Sequence, residues 1–95
     1  MNTHIITEAL IQGLQVSKIF KTDTTETLLI TLEKDKLFPK HTSPKEAMLV
    51  VLEGSINFYI EGKTIELNQN NTYSFQKNVE HHVVANENSK FLIIR

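Results

Sequence analysis

The stretch AMLVVLEGSINFYIEGKTIEL, residues 47–67, decides the fold class of this chain. It contains three short runs rich in β-branched and aromatic residues, which are separated by Glu53-Gly54 and Glu61-Gly62. Such runs favour strands, and glycine adopts positive φ at no steric cost, so each pair is expected to close a hairpin. The stretch therefore predicts antiparallel strands over residues 47–53, 56–60 and 63–67.

Similar runs continue on both sides of this stretch. A single short helix is predicted over Thr7–Leu14, where Thr7 can cap the first turn and apolar side chains fall near one face. After it, Asp, Asn, Pro and Ser residues mark turns between short apolar segments. The remaining predicted strands are 16–22, 27–33, 72–75, 81–85 and 91–95. Eight short strands without helices between them predict an all-β, antiparallel sandwich or barrel.

Composition limits the classes of function. The chain has 95 residues, 40% apolar and 22% charged, which is expected of one small globular domain over residues 1–95. The net charge is -1 and the basic residues are scattered, which argues against nucleic acid as a direct ligand. Cysteine is absent, so disulfides, thiolate catalysis and cysteine-ligated metals are excluded. Without a secretion-signal pattern or an apolar run near the roughly 20 residues of a membrane span, we expect a cytoplasmic protein without membrane contact.

Two segments resemble the linked motifs of the cupin superfamily: His41 to Gly54, and NNTYSFQKNVEHHVVAN over residues 70–86. The first family motif is H-x-H, three or four residues, E, six residues, G. Aligned on Gly54, this chain has His41 at the first histidine, Ser43 at the second and Ala47 at the glutamate. The first motif therefore keeps one of its three metal-ligand positions.

The second family motif is G, five residues, P-x-G-x-x-H, three residues, N. Aligned on His81, the chain keeps the histidine, whereas Asn70, Gln76 and Asn78 take the positions of Gly, Pro and Gly. The resemblance covers roughly residues 16–95, nearly the whole chain. It implies an antiparallel double-sheet jelly-roll barrel with a short N-terminal helix at most.

The resemblance also implies a site inside the barrel. The residues expected to contact a small molecule there are His41, Ser43, Ala47 and His81. His41 and His81 are the remaining ligands for a divalent transition metal such as Zn, Ni, Cu or Fe. Because Ala47 replaces the carboxylate and Ser43 offers only a neutral hydroxyl, any metal is expected to bind weakly. No catalytic residue is predicted.

Some of these residues have simpler structural explanations. Ser43 suits a turn, in which its hydroxyl bonds to the backbone. His41 in isolation is more often a solvated loop residue than a ligand, and only the motif alignment favours the second role. Glu46 and His82 each lie one residue from a ligand position, so strand alternation turns them to the opposite face. The aromatic residues at alternate strand positions are most simply core: Phe58, Tyr73, Phe75 and Phe91.

Three classes of function follow from this pattern. The favoured one is a small-molecule binding or sensing module with a pocket inside the barrel. The first alternative is a metal-dependent enzyme of the dioxygenase or isomerase type that uses His41 and His81, but no carboxylate or tyrosine has a clear place as general acid or base. The second alternative is a structural dimer scaffold with a vestigial pocket.

A homodimer is expected because several strands are apolar on both faces. In AMLVVLE, the residues that face away from the core would be Met48, Val50 and Leu52. The runs over residues 28–30 and 91–94 also lack polar alternation. A solvated antiparallel sheet alternates apolar and polar residues, so something must cover this face. A second copy related by two-fold symmetry is the simplest cover.

Overall fold

The computed structural model describes residues 2–95, which form one short helix and nine strands. The helix, α1, spans Ile5–Glu8. The strands are β1 (Leu14–Lys21), β2 (Glu26–Leu32), β3 (Leu37–His41), β4 (Ala47–Glu53), β5 (Ser55–Ile60), β6 (Lys63–Asn68), β7 (Thr72–Phe75), β8 (His81–Ala85) and β9 (Ser89–Ile94). The described chain is therefore nearly all β, as predicted. No helix in the described residues is long and apolar enough to cross a membrane.

The strands form two antiparallel sheets. The five-stranded sheet has the order β1-β2-β9-β4-β7, and the four-stranded sheet has the order β3-β8-β5-β6. Both sheets contribute apolar side chains to one shared core, which includes Ile30, Leu49 and Phe91 from the first sheet and Phe58 and Val83 from the second. This arrangement confirms the predicted double-sheet jelly roll.

Side chains alternate along β4 as the sequence predicted. Ala47, Leu49 and Val51 are buried in the core, whereas Met48 is exposed and Val50 is only partly buried. The predicted aromatic core is confirmed as well: Phe58, Phe75 and Phe91 are buried, and Tyr73 packs against them from the edge. The centre of the barrel is therefore filled with side chains.

The helix predicted over Thr7–Leu14 is wrong in its bounds. The chain leaves α1 at Ala9, whose φ of -63° and ψ of 124° are extended, and β1 begins at Leu14. The segment between them runs over the outer face of the five-stranded sheet, where the Leu10 carbonyl accepts a hydrogen bond from the Thr31 hydroxyl at 3.0 Å. This tertiary contact outweighs a weak local preference for helix.

Strand β3 was not predicted. It contains Pro39, which cannot donate a ladder hydrogen bond and argues against a strand in the sequence. The structure accommodates the proline because β3 is an edge strand, paired only with β8 among the described strands, and its register shifts between Phe38 and His41. His41 is therefore the last residue of a strand and not part of a loop.

The two glycines of the 47–67 stretch have different roles. Gly62, with φ of +72°, lies in the predicted β5–β6 hairpin, where Ile60 pairs with Lys63. Gly54, with φ of +87°, does not close a hairpin, because β4 and β5 belong to different sheets. The chain turns a corner there, and a Cβ would lie 2.4 Å from the backbone oxygen of Asn88. Both positive φ and close approach therefore require glycine.

The outer faces of the two sheets differ in character. On the five-stranded sheet, Val50 pairs with Leu92 and Met48 pairs with Ile94, which makes an apolar patch. On the four-stranded sheet, Tyr59 pairs with both Thr64 and His82. The described structure contains a single copy of the chain, so the homodimer stays a prediction.

Candidate ligand and metal site

His41 and His81 meet at one end of the barrel. His41 ends β3, His81 begins β8, and the two residues are directly paired in the sheet. Their Nε2 atoms lie 3.0 Å apart, which confirms the expectation that both imidazoles reach one place. Ala47, at the start of β4, is buried at the same end, and its sheet partner Phe75 contacts the His81 ring edge-on at 4.6 Å.

Backbone carbonyls determine which ring nitrogen of each histidine carries the proton. The His41 Nδ1 lies 2.7 Å from the Pro39 oxygen, and the His81 Nδ1 lies 2.9 Å from the Val79 oxygen. A carbonyl only accepts hydrogen bonds, so each Nδ1 donates and each neutral imidazole has its lone pair on Nε2. Two nitrogens that both carry a lone pair therefore lie 3.0 Å apart. Neutral rings in these tautomers cannot hydrogen-bond to each other, and a bound cation satisfies both.

Aromatic neighbours hold both rings in place. The His41 ring stacks on Phe38 with ring centroids 4.3 Å apart and an interplanar angle of 18°. His81 packs against Phe58 and Phe75 and is 2% exposed. Burial lowers the pKa of His81 below 6.5, and the nearby charges of His41, Arg95 and His82 act in the same direction. The bond to the Val79 carbonyl opposes this shift only in part.

A charged cluster that the sequence did not predict lies at the same end. Arg95 donates through Nε to a Glu26 oxygen at 2.9 Å, and the other Glu26 oxygen lies 2.8 Å from the Lys18 amino group. The hydrogen bonds from Lys18 and then Arg95 lower the pKa of Glu26 to about 2. Strand alternation was a usable signal for Arg95, because it lies two residues beyond the buried Ile93. No sequence pattern indicated that Glu26 would bond to Arg95.

Ser43 is buried, 1% exposed, and its structural role as a turn residue is confirmed. Its hydroxyl donates to the Lys45 carbonyl at 2.6 Å and accepts the Lys45 N–H at 3.3 Å. The Arg95 Nη1 lies 3.5 Å from the same hydroxyl. The Ser43 hydroxyl is therefore bonded within the turn and lies beside the charged cluster. Its contact with a ligand stays a prediction.

The two residues next to ligand positions face away, as predicted. His82 stacks on Tyr59 on the outer face of the four-stranded sheet, with ring centroids 4.4 Å apart and an interplanar angle of 3°. Glu46 is exposed and precedes β4. Within residues 2–95, no group of three or more His, Asp or Glu side chains is placed to hold a metal ion. Of the predicted ligand positions, the structure brings together the two imidazoles of His41 and His81.

An open pocket of about 310 Å³ lies at this end of the barrel. It runs along the β5–β6 turn and the start of β8, and its charged lining residues are Lys40, Lys63, Glu61 and Glu80. His81 lines it together with Tyr59, Thr64 and His82, and neither His41 nor Arg95 is among its lining residues. Because Tyr59 and His82 stack on the outer face of the four-stranded sheet and large side chains fill the barrel centre, this pocket lies outside the barrel.

Comparison with known proteins agrees with this geometry. The cupin domain matches residues 28–94, which span both histidines and the strands that hold them. The chain belongs to the cupin family. No curated protein matches this cupin significantly in sequence.

Solved structures resemble this cupin over most of its length. An RmlC-like cupin from Desulfovibrio desulfuricans superposes with a TM-score of 0.86 at 21% identity, covering 99% of this chain and 94% of the other. A cupin-2 domain protein from Shewanella frigidimarina gives 0.81 at 23% identity, covering 100% and 92%. An RmlC-like cupin from Methanocaldococcus jannaschii, described as a double-stranded β-helix, gives 0.77 at 22% identity, covering 87% and 79%. At these identities the similarity establishes the fold alone.

Proposed function

We propose that this cupin is a small-molecule binding module whose site is the His41–His81 pair, loaded with a divalent transition metal of the Zn, Ni, Cu or Fe group. The observation that carries the proposal is the pair of Nε2 atoms 3.0 Å apart, in rings whose Nδ1 atoms both contact a backbone carbonyl. Both rings donate their Nδ1 proton to a backbone carbonyl. Metal-binding histidines are usually oriented by such a bond.

The donor set fits a borderline cation. Two metal–nitrogen bonds of about 2 Å each span the 3.0 Å between the Nε2 atoms. Imidazole suits Zn, Ni, Cu and Fe, whereas Mg and Ca prefer oxygen ligands. When bound, the metal supplies a Lewis acid that polarises a ligand atom. The role of the protein is to keep the two lone pairs convergent and to restrict water, since His81 is nearly fully buried.

Affinity is expected to be modest for two reasons. Ala47 supplies no carboxylate to neutralise a dication, and the Arg95 guanidinium adds positive charge at the same end of the barrel. Binding also requires both histidines to be neutral, so metal affinity falls as the pH falls through the histidine range. Water or the small molecule must supply the remaining ligands.

The charged cluster favours binding over catalysis. An enzyme of this type needs a carboxylate or tyrosine that exchanges protons near neutral pH. Glu26 is the carboxylate of the charged cluster at this end, but two hydrogen-bonded cations hold it ionised down to about pH 2. It is therefore too weak a base for that role, and the binding module remains the proposed function.

Calorimetric titration of the tag-free protein with Zn²⁺ and Ni²⁺ tests the proposal. His41→Ala and His81→Ala are each expected to lower affinity at least about tenfold, because one of two protein ligands is lost. His82→Ala is the matched control, since it removes an imidazole that faces the other way, and its affinity should equal that of the wild type. Melting temperatures of all variants establish that each is folded.

Two further results bear on the register of the site. Ala47→Glu should strengthen Zn²⁺ binding, because it restores a carboxylate beside the pair. Mg²⁺ should not bind at comparable concentration. Zinc affinity that is unchanged in the double variant His41→Ala/His81→Ala would rule the site out.

A further inference from the structure

We propose that the small molecule is an organic carboxylate, bound through its charged group by Arg95 beside the His41–His81 pair. This rests on the proposed function, because it names the class of ligand for the same site. It assigns a binding role to Arg95.

The position of Arg95 is the first support. Phe91 and Ile93 on β9 are buried in the core, and Arg95 continues the same face by strand alternation. Met48 on β4 pairs with Ile94 on β9, so Ala47 and Arg95 are the next neighbours at this end of the sheet. Where the cupin motif has a glutamate, this chain has a methyl group with a guanidinium beside it. The protein therefore has no carboxylate at this position and has a guanidinium that can bind an anionic ligand.

The second support is that the terminal nitrogens of Arg95 make few hydrogen bonds within the described residues. A guanidinium has five N–H donors. Within residues 2–95, its side chain uses Nε for Glu26, and its Nη1 reaches the Ser43 hydroxyl at 3.5 Å, the outer limit of a hydrogen bond. The two terminal nitrogens form a planar fork that matches a carboxylate in a bidentate bond. The two terminal nitrogens of Arg95, which suit an anion best, are thus less strongly bonded within the described residues than its Nε.

The local charge balance is the third support. Lys18 and Arg95 both contact the carboxylate of Glu26, so these three side chains together carry one positive charge in excess. The Arg95 side chain is 21% exposed, so water screens this charge only in part. A dication on the histidine pair adds to the excess. A ligand carboxylate offsets both charges, and an uncharged ligand offsets neither.

Titration with acetate, malonate and succinate tests the inference, with the protein both metal-free and loaded with Zn²⁺. The wild type should bind at least one of these acids, and Arg95→Gln should weaken that binding at least tenfold. Arg95→Gln should keep or raise the affinity for Zn²⁺, because a positive charge beside the dication is removed. A role in folding alone does not predict this opposite pair of changes.

Two control variants separate the geometry of the Arg95 guanidinium from a general effect of positive charge. Arg95→Lys keeps the charge and removes the fork, so it should remain folded and bind the acid less well than the wild type. Lys34→Gln removes one positive charge after β2, at the opposite end of the barrel from Arg95, and should bind both acid and Zn²⁺ unchanged.

The outcomes separate the two proposals. If Zn²⁺ binds at the pair and none of the three acids binds, or if Arg95→Gln binds them as the wild type does, the carboxylate inference is overturned and the metal site stands. If the acids bind in an Arg95-dependent way and Zn²⁺ does not bind, the metal site falls and the carboxylate inference stands. Equal binding of inorganic phosphate with the same dependence on Arg95 would overturn the assignment to carboxylates.

Discussion

At one end of the barrel lie two imidazoles and a guanidinium, and at the other end Gly54 and Ser89 close the junction between the sheets. We call these the histidine end and the glycine end. At the glycine end the Ser89 hydroxyl is fully buried, accepts the Ser55 N–H at 3.1 Å and donates to the Glu87 carbonyl at 2.7 Å. At the histidine end the Nε2 atoms of His41 and His81 lie 3.0 Å apart, and the Arg95 Nη1 reaches the Ser43 hydroxyl only at 3.5 Å.

The difference supports the histidine end as the place of the proposed binding site. Buried polar groups in a stable structure are paired, as they are around Ser89. Polar groups that converge without complementing one another mark a place where a ligand supplies the missing partner. Substitutions at the glycine end should therefore change stability, and substitutions at the histidine end should change binding.

The largest effect is expected from Gly54→Ala. The new Cβ would lie 2.4 Å from both the Asn88 oxygen and the Ser89 Oγ, and φ is +87°. Overpacking and backbone strain together should lower the free energy of unfolding by about 2–5 kcal/mol. Gly62→Ala is the control, because φ is +72° but nothing lies within 4 Å of its Cβ, so about 1–2 kcal/mol is expected. Equal losses in urea denaturation would show that the glycine end is not tightly packed.

Next in size is Ser89→Ala. The substitution leaves the buried Ser55 N–H without its acceptor and the Glu87 carbonyl without its donor. An unpaired buried group costs about 1–3 kcal/mol, and the loss should appear in the same denaturation experiment. Ser74→Ala, on an exposed position of β7, should change stability by less than about 0.5 kcal/mol. Comparable losses in the two variants would contradict the role given to Ser89.

A smaller, pH-dependent effect is expected at the histidine end. The folded pKa of His81 is lowered from 6.5, so below that pH the unfolded chain binds a proton that the folded chain resists. The stability of the metal-free protein should therefore decrease as the pH falls below 6.5, with a slope of at most about 1.4 kcal/mol per pH unit from this group. His81→Phe should flatten the dependence and His82→Phe should not. A profile unchanged by His81→Phe would show that other groups control it.

Val50→Glu is expected to have the smallest effect on stability and on binding at either end. Val50 lies between the two ends, on the outer face of the five-stranded sheet. If a second copy covers this face, the wild type should have about twice the 10.9 kDa mass of one chain by light scattering, and the variant should be monomeric. Thr64→Glu places the same charge on the exposed, polar face of the other sheet and should leave the mass unchanged. A monomeric wild type would contradict the predicted homodimer.

The sequence predicted the histidine end better than the glycine end. Gly54 and His81 fixed the register of the two motifs and thereby placed His41, and strand alternation then gave the orientation of Ala47 and of His82. These features depend on a period of two along one strand, which a sequence displays directly. Arg95 was open to the same argument, because it shares the face of Phe91 and Ile93.

What the sequence did not predict depends on contacts between distant segments. Gly54 looks like a hairpin glycine, since nothing in the local sequence shows that Asn88 and Ser89 lie against it. The edge position of β3, which makes Pro39 acceptable, is likewise a property of the sheet order. The pairing of Glu26 with both Lys18 and Arg95 joins residues that are far apart in the sequence, and it has no sequence signature.

The central position of β9 constrains how the chain can be assembled during synthesis. The four-stranded sheet is complete once β8 has left the ribosome, because its strands all precede Asn86. In the five-stranded sheet, β2 and β4 are joined only through β9, the last strand in chain order among those described. Until residues 89–94 emerge, the apolar inner face of the first sheet lacks its full cover, and β2 and β4 expose unpaired edges. The nascent chain is therefore most prone to aggregate just before its last strand inserts, and a stop codon or truncation there should remove the whole sheet and not only one strand.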